Sequence, residues 1–187
     1  VYIMSGATGV LTLVQNNVVQ GDRRGWDVAL LRDVTGDGKA DLASSAPGRE
    51  GTGTTDAGAV SVYSVFPFSH YWTRIGTDGA EQGRSIDRVH DVDGDGFEDV
   101  AYVGLQISST ITVASGAQVG VAPYFFTGPT QASAFYGYSV AGAGDLNGDG
   151  YGDLIVGAPF GGPLQRGRAQ VYFLGDYDDD GTDDACD

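Results

Sequence analysis

The sequence predicts an all-β fold made of repeated antiparallel sheets. Three observations carry that expectation. Gly supplies 31 of 187 residues, more than twice its usual share of about 7%, which signals many tight turns and hence many short strands. No segment combines a long 3.6-residue apolar period with helix caps. Finally, one pattern recurs along the chain. A Gly is followed eight residues later by an Asp at Gly25/Asp33, Gly83/Asp91 and Gly137/Asp145, and the three Asp lie 58 and 54 residues apart. That period is close to one four-stranded propeller blade and unlike an ankyrin or leucine-rich repeat.

The elements follow in order. Val1-Tyr2-Ile3-Met4-Ser5-Gly6 matches the closing strand of a repeat, as in Ile111-Thr112-Val113-Ala114-Ser115-Gly116, so residues 1–20 read as the end of a preceding blade and a linker. Residues 21–66 form the first repeat, with a strand entering an acidic loop at Asp33, an apolar run Leu42–Pro47, a long polar turn and a strand Gly58–Tyr63. Residues 79–120 form a degenerate second repeat, with runs Val100–Leu105 and Ser109–Val113. Residues 133–175 form the third, with runs Leu154–Pro159 and Ala169–Phe173. The runs are short, rich in Val, Ile, Tyr and Thr, and bounded by Gly, Pro or Ser, which is the strand signature. The aromatic segment Phe66–Trp72, with His70, reads as inter-blade packing or surface. Residues 100–144 carry no charged residue and read as strands with uncharged turns, Tyr124-Phe125-Phe126 belonging to the core or, if exposed, forming a contact surface. About three blades and a fragment fall short of the roughly 4–8 blades that close a propeller. The expectation is therefore part of a larger or oligomeric propeller, its N-terminal half-blade open to completion by strand addition.

Charge and composition exclude several functions. Ten Lys and Arg stand against 25 Asp and Glu, a net charge of −15. A chain this acidic lacks the basic stripe that tracks a nucleic-acid backbone and is repelled by anionic lipid heads. Apolar residues make up 41%, enough for a core and against general disorder. A length of 187 residues fits one domain. A single Cys, Cys186, excludes a disulfide within the chain and a Cys-based zinc site. His70 and His90 are isolated, so neither a His-rich metal site nor a Ser-His-Asp arrangement is expected. No apolar stretch of about 20 residues exists for a membrane helix. The chain opens on Val1 without a signal-peptide pattern and reads as a mature, processed or excised segment.

The acidic loops carry the chemistry. They read Asp33-x-Thr35-x-Asp37-Gly38-x-x-Asp41, Asp91-x-Asp93-x-Asp95-Gly96-x-x-Asp99 and Asp145-x-Asn147-x-Asp149-Gly150-x-x-Asp153. Oxygen ligands stand at positions one, three, five and nine, and Gly at position six permits the sharp turn. The main-chain carbonyl of position seven (Lys39, Phe97, Tyr151) adds another oxygen. A hard cation such as Ca²⁺ takes 6–8 oxygens at about 2.3–2.6 Å, and the pattern follows the first nine positions of an EF-hand loop. The bidentate Glu at position twelve is missing and a strand follows, which excludes an EF-hand proper. One Asp-Gly loop alone would read equally as a solvated turn. Three in repeat register, whose converging carboxylates repel without a cation, point to Ca²⁺. The second loop, with four Asp, should bind most tightly, and the first, with Thr35, more weakly.

Tyr136-Gly137 and Gly157-Ala158-Pro159 in the third repeat, with looser versions at Arg24-Gly25, Ser45-Ala46-Pro47 and Gln82-Gly83, resemble the FG-GAP repeat of integrin α-subunit propellers and related bacterial surface proteins. The resemblance covers residues 1–175. It implies β-propeller blades of four antiparallel strands in which the calcium loop joins two strands on one rim. It also implies mainly structural calcium, with partner contacts on the opposite rim. A fourth acidic segment, Asp176-x-Asp178-x-Asp180-Gly181-Thr182-x-Asp184, has the ligand spacing but the wrong register. With Cys186 it resembles the start of a thrombospondin type 3-like calcium repeat. Residues 176–187 therefore read as a junction to another module or a calcium-stiffened tail, against a plain disordered acidic tail. Cys186 is open to an inter-module disulfide or a free thiol.

The expected function is a calcium-binding extracellular or cell-surface interaction and adhesion module, not an enzyme. Its expected partners are a protein or glycan surface, or copies of itself, without nucleic acid or membrane insertion. Two other readings stand beside it: a subunit of an extracellular fibre or surface array, and an accessory domain of a secreted hydrolase.

Overall fold

Strands dominate because the apolar runs are short and bounded by Gly, Pro or Ser, and those at Ala59–Val65, Asp99–Gly104, Thr110–Ala114 and Asp153–Ala158 are rich in β-branched or aromatic residues. The computed structural model describes residues 1–4, 6–13, 19–104, 110–118, 124–127 and 135–175. The first four-stranded sheet runs in order through β3 (Val28–Leu31), β4 (Asp41–Ala46), β5 (Ala59–Val65) and β6 (Phe68–Ile75). The second runs through β7 (Ile86–Val89), β8 (Asp99–Gly104), β9 (Thr110–Ala114) and β10 (Tyr124–Thr127). A third sheet holds β11 (Ser139–Gly144), β12 (Asp153–Ala158) and β13 (Arg168–Tyr172), and β1 (Tyr2–Met4) pairs with β2 (Leu11–Leu13). Every pairing between these strands is antiparallel. Among the described residues the helical content is one 3₁₀ turn, Pro163–Gln165. The sheets have the all-β architecture of propeller blades.

The sheets stack face to face, which is why β4, β5 and β8 are buried on both faces. Between the first and second sheets, Leu31, Ala43, Val60, Val62 and Trp72 meet Ile86, Val100, Tyr102 and Ala114. Between the second and third, Ala101, Val103, Ile111 and Val113 meet Val140, Leu154, Val156 and Ala158. A fully buried aliphatic or aromatic side chain of this size contributes about 1.5–3 kcal/mol, so these two seams dominate the stability of the stack. Hydrogen bonds cross them at one repeated position. Asp27 accepts the Ile86 N–H at 2.9 Å, and Ser85 accepts the Val140 N–H at 3.2 Å. Val1 and Ile3 pack on Leu42 and Val65 at the outer face of the first sheet.

The glycine that opens each repeat has a conformational reason. Gly25, Gly83 and Gly137 have φ of 76°, 92° and 77°, a left-handed conformation that a side chain makes costly. The aromatic before the third of these, Tyr136, is buried in the seam between the second and third sheets.

The segment read as inter-blade differs from expectation. It is β6, the fourth strand of the first sheet, paired with β5 from Val65↔Phe68 to Ala59↔Ile75. Trp72 on it is buried, and its indole N–H donates to the Gly116 carbonyl at 2.9 Å, fastening the first sheet to the second. His70 sits on this strand beside the Tyr63 ring and hydrogen-bonds Thr73 through Nε2. Residues 124–127 form β10, and their side chains, like Cys186, lie outside the described residues.

Candidate metal centre

Each acidic loop joins the first and second strands of a sheet, and all three lie at the same end of the stack. Residues 32–40 join β3 to β4, residues 90–98 join β7 to β8, and residues 145–152 join β11 to β12. Three of the loop's own side chains fold it. The first Asp accepts main-chain N–H groups across the turn. Asp33 takes Gly36 at 2.7 Å and Gly38 at 2.6 Å, Asp91 takes Gly94 and Gly96 at 2.7 Å, and Asp145 takes Gly148 at 2.6 Å and Gly150 at 3.1 Å. The glycine at position six has φ of 81°, 87° and 95° in turn, the left-handed turn that aims these amides inward. Position five accepts the N–H of position seven: Asp37 from Lys39, Asp95 from Phe97, Asp149 from Tyr151.

Position nine ties the loop to the sheet. Asp41, Asp99 and Asp153 are fully buried. Asp41 accepts the Val34 N–H at 2.8 Å and the Thr35 N–H at 2.9 Å. Asp99 accepts Val92 at 2.9 Å and Gly116 at 3.0 Å, the latter at the end of β9. Asp153 accepts Leu146 at 2.6 Å and Leu174 at 3.2 Å. A carboxylate stays in such a site only if hydrogen bonds or a cation offset its desolvation.

The loops differ in what their carboxylates do next. In the second, oxygens of Asp91, Asp93 and Asp99 lie within 4.8 Å of one another. Among the described residues these three form a cluster with the separation a metal needs. Two oxygens on one Ca²⁺, each at about 2.4 Å, stand no more than about 5 Å apart. Oδ2 of Asp93 is buried and has no hydrogen-bond partner, an acceptor left for a cation to satisfy. The donors are hard oxygens, the ligand class for Ca²⁺ or Mg²⁺, so the residues present fit the group. Electrostatics agree. Burial, and then the charges of Asp93 and Asp95, push Asp99 up to about 7 against its two backbone hydrogen bonds. Asp93 is raised by burial and by Asp95 and Asp91, against the Asp95 N–H and the nearby Ser115 hydroxyl, which pull it down. Asp41 is raised chiefly by burial. At Asp33 burial also pulls upward, but the N–H groups of Gly38, Gly36, Asp37 and Thr35 outweigh it and hold that carboxyl below its ordinary value.

In the first loop the Thr35 hydroxyl donates to Oδ1 of Asp41 at 3.3 Å, and Asp37 Oδ2 accepts from Ser64 at 2.7 Å. In the third, the Asn147 amide donates to Asp149 at 2.7 Å. Lys39 reaches the Phe66 carbonyl at 2.7 Å with its Nζ, so its side chain braces the loop. The tail ligands Asp176, Asp178, Asp180, Thr182 and Asp184 lie outside the described residues.

Sequence reasoning missed two supports. Ser64 and Ser115 donate to the position-five carboxylates Asp37 and Asp95 from the third strand of each sheet or its end. Glu98, at position eight of the second loop, is buried. It accepts the Arg32 N–H at 2.7 Å and pairs with Arg32 and Arg88. Serine at matching places after the two loops is a visible signal. A lone Glu beside an Asp ligand carries none.

Comparison with known proteins finds a family for the repeat. Residues 24–63 and 136–174 match the FG-GAP repeat family. The chain is 40% identical to integrin alpha-V of Gallus gallus over 161 residues, covering 79% of this chain and 15% of that protein. It is 30% identical to integrin alpha-PS5 of Drosophila melanogaster over 154 residues (74% and 15%) and 29% identical to integrin alpha-8 of Mus musculus over 161 residues (79% and 15%). The chain thus spans about 15% of the length of these relatives. The β7–β10 sheet lies between the two matched segments and carries the same loop between its first and second strands, with Asp99 in the place of Asp41 and Asp153. With that architecture and those matches, the chain contains FG-GAP repeats, at residues 24–63 and 136–174.

Proposed function

We propose that this chain is a calcium-stabilised interaction module of an extracellular or cell-surface protein, serving adhesion. The observation that carries the calcium assignment is the buried, unpartnered Asp93 Oδ2 within the Asp91–Asp93–Asp99 cluster. The loops at 33–41 and 145–153 share its backbone and take the same ion more weakly in this reading. The likeness to integrin α-subunits, which are not enzymes, supports binding over catalysis. Residues 1–175 form the repeat region of this proposal and residues 176–187 an acidic junction.

A protein or glycan partner meets the rim opposite the loops. Exposed aromatic and aliphatic side chains gather there: Trp26 before β3, Tyr138 before β11, and Phe160 and Leu164 between β12 and β13. The Arg84 guanidinium lies 5.2 Å over the Trp26 ring, and Phe135 stacks edge-on against Phe160. Planar, part-exposed groups of this kind are favoured at binding surfaces. The second reading, self-association into a fibre or array, is favoured by one observation. Ile155 on β12 is exposed, whereas Ala43 and Ala101 at the same place on β4 and β8 are covered by the following sheet.

Thermal unfolding in EDTA and in millimolar Ca²⁺ tests the calcium assignment. One site at a hundredfold excess over its Kd adds about 2.7 kcal/mol, or roughly 5–10 °C for a chain of this size. An unchanged Tm would sink it. A sizing column on both samples separates a monomeric module from an assembling subunit.

A further inference from the structure

Resting on the calcium reading, we propose that Glu98 couples cation occupancy of the 91–99 loop to that of the 33–41 loop, so that filling the second raises the affinity of the first. Glu98 directly precedes Asp99, the buried carboxylate of the cluster. Its side chain crosses the seam between sheets. Oε2 accepts the Arg32 N–H at 2.7 Å, and Arg32 directly precedes Asp33, the residue that folds the first loop. Oε1 lies 3.3 Å from Arg32 Nε and 3.5 Å from Arg88 Nη1. The Glu98 side chain is 5% exposed, against 74% and 52% for the two Arg side chains. The buried member is thus held by backbone and two cations, while the cations keep their solvent.

A second path joins the same loops. Asp99 Oδ1 accepts the Gly116 N–H at 3.0 Å. A side chain on Gly116 would collide with the Glu98 carbonyl, and the Val34 methyl sits 3.1 Å from where its Cβ would lie. Val34 is buried in the seam and donates its N–H to Asp41 at 2.8 Å. Position nine of the second loop is therefore linked to position nine of the first through Gly116 and Val34, and to its entry through Glu98 and Arg32. The links are three short hydrogen bonds, the close approach of Val34 to Gly116 and two steps along the chain. An ion that fixes Asp99 removes freedom that the first loop would otherwise lose on its own binding. By linkage the effect is reciprocal. The third loop makes the corresponding approach to the second without a side chain: the Gly152 N–H donates to the Asp91 carbonyl at 3.1 Å.

The test reads each loop separately. In a calcium titration followed by amide NMR, Gly38, Gly96 and Gly150 report the first, second and third loops through their bonds to Asp33, Asp91 and Asp145. Asp93→Ala disables the second loop, and the Gly38 midpoint is expected to move to at least about fivefold higher Ca²⁺, the low end of ordinary coupling. In a Glu98→Met background, which keeps the length of the side chain and removes both acceptor oxygens, the same substitution should move Gly38 less than about twofold, the remainder passing through Gly116 and Val34. A Gly38 midpoint indifferent to Asp93→Ala overturns the coupling, and a shift that persists in full in the Glu98→Met background overturns the role of Glu98. If Glu98→Met does not fold, Glu98→Gln, which keeps one acceptor and removes the charge that holds Arg32 and Arg88, takes its place; it should at least halve the shift, and an unreduced shift overturns the role of Glu98. If none of the three amides responds to Ca²⁺ in the unsubstituted chain, the calcium reading itself fails, a result distinct from uncoupled but calcium-responsive loops.

Discussion

The loops at 33–41 and 91–99 share one backbone and separate at one side chain. In both, the first Asp gathers the glycine amides and the ninth is buried under main-chain N–H groups. At position three the first loop has Thr35, whose hydroxyl donates to Asp41. The second has Asp93, which offers no proton and keeps a buried oxygen without a partner. Positions one and nine are thus scaffold, needed whether or not a cation is present. Position three sets how much charge the loop leaves uncompensated. The difference separates what folds a loop from what, in the calcium reading, leaves it charge for an ion to meet.

The scaffold half of that comparison breaks most severely at Asp99. Asp99→Ala leaves the buried Val92 and Gly116 N–H groups without their acceptor. An unsatisfied buried donor costs about 1–3 kcal/mol, so a loss of about 2–5 kcal/mol is expected, exceeding the relief of removing one buried charge. The loss should appear in urea unfolding in EDTA, where no ion contributes. Asp41→Ala should cost less, because two of its three donors, the N–H and hydroxyl of Thr35, belong to a half-buried residue. If Asp99→Ala were as stable as the parent in EDTA, position nine would be a ligand and nothing more.

Exchanging position three sharpens the other half. Thr35→Asp places a further carboxylate beside Asp41 in place of a donor. Like charges a few Å apart near a protein surface repel by a few kcal/mol at most, so a loss of about 1 kcal/mol in EDTA is expected. The calcium affinity of the first loop should rise about tenfold, equivalent to about 1.4 kcal/mol. Asp93→Thr should do the reverse in the second loop, raising stability in EDTA and lowering the calcium response. Unfolding curves of both variants across a Ca²⁺ series decide the matter. Two variants with unchanged calcium responses would remove position three as the determinant.

What could be read from the sequence follows the same division. The apolar runs of β4, β8 and β12 and the loop spacing are local, each visible in a stretch of ten residues, and the period of 54–58 residues follows from lining those stretches up. β6 was hidden because Trp72 is the one residue on it that is buried, with Tyr71, Thr73 and Arg74 part-covered, so no alternation marks it. The seam contacts were hidden for a different reason. Glu98 meets Arg32 across 66 residues, and Trp72 meets Gly116 across 44. Those pairs exist only once the sheets stack. The rank of the ligands was also illegible: all the Asp look alike in the motif, but the fold buries the ninth.

The smallest expected effect lies in the third loop, which solves the position-five problem in its own way. Ser64 lies opposite Asp41 and donates to Asp37, and Ser115 follows Ala114 and donates to Asp95. In the third sheet the corresponding residue is Phe173, following Tyr172, the partner of Leu154. Phe173 has no hydroxyl, and the Asn147 amide supplies the donor to Asp149 instead. Asn147→Asp replaces that donor with a charge. It should lower stability in EDTA by about 0.5–1 kcal/mol, the ordinary net worth of one hydrogen bond. The gain in calcium affinity should stay below about threefold, since Asn already presents an oxygen to the ion, unlike the tenfold gain expected for Thr35→Asp. Adding Phe173→Ser should return part of the EDTA stability by restoring the hydroxyl found in the other two sheets. If Asn147→Asp instead matched Thr35→Asp in calcium response, charge alone would govern position three, and the hydrogen bond from its side chain would have no part in setting the affinity.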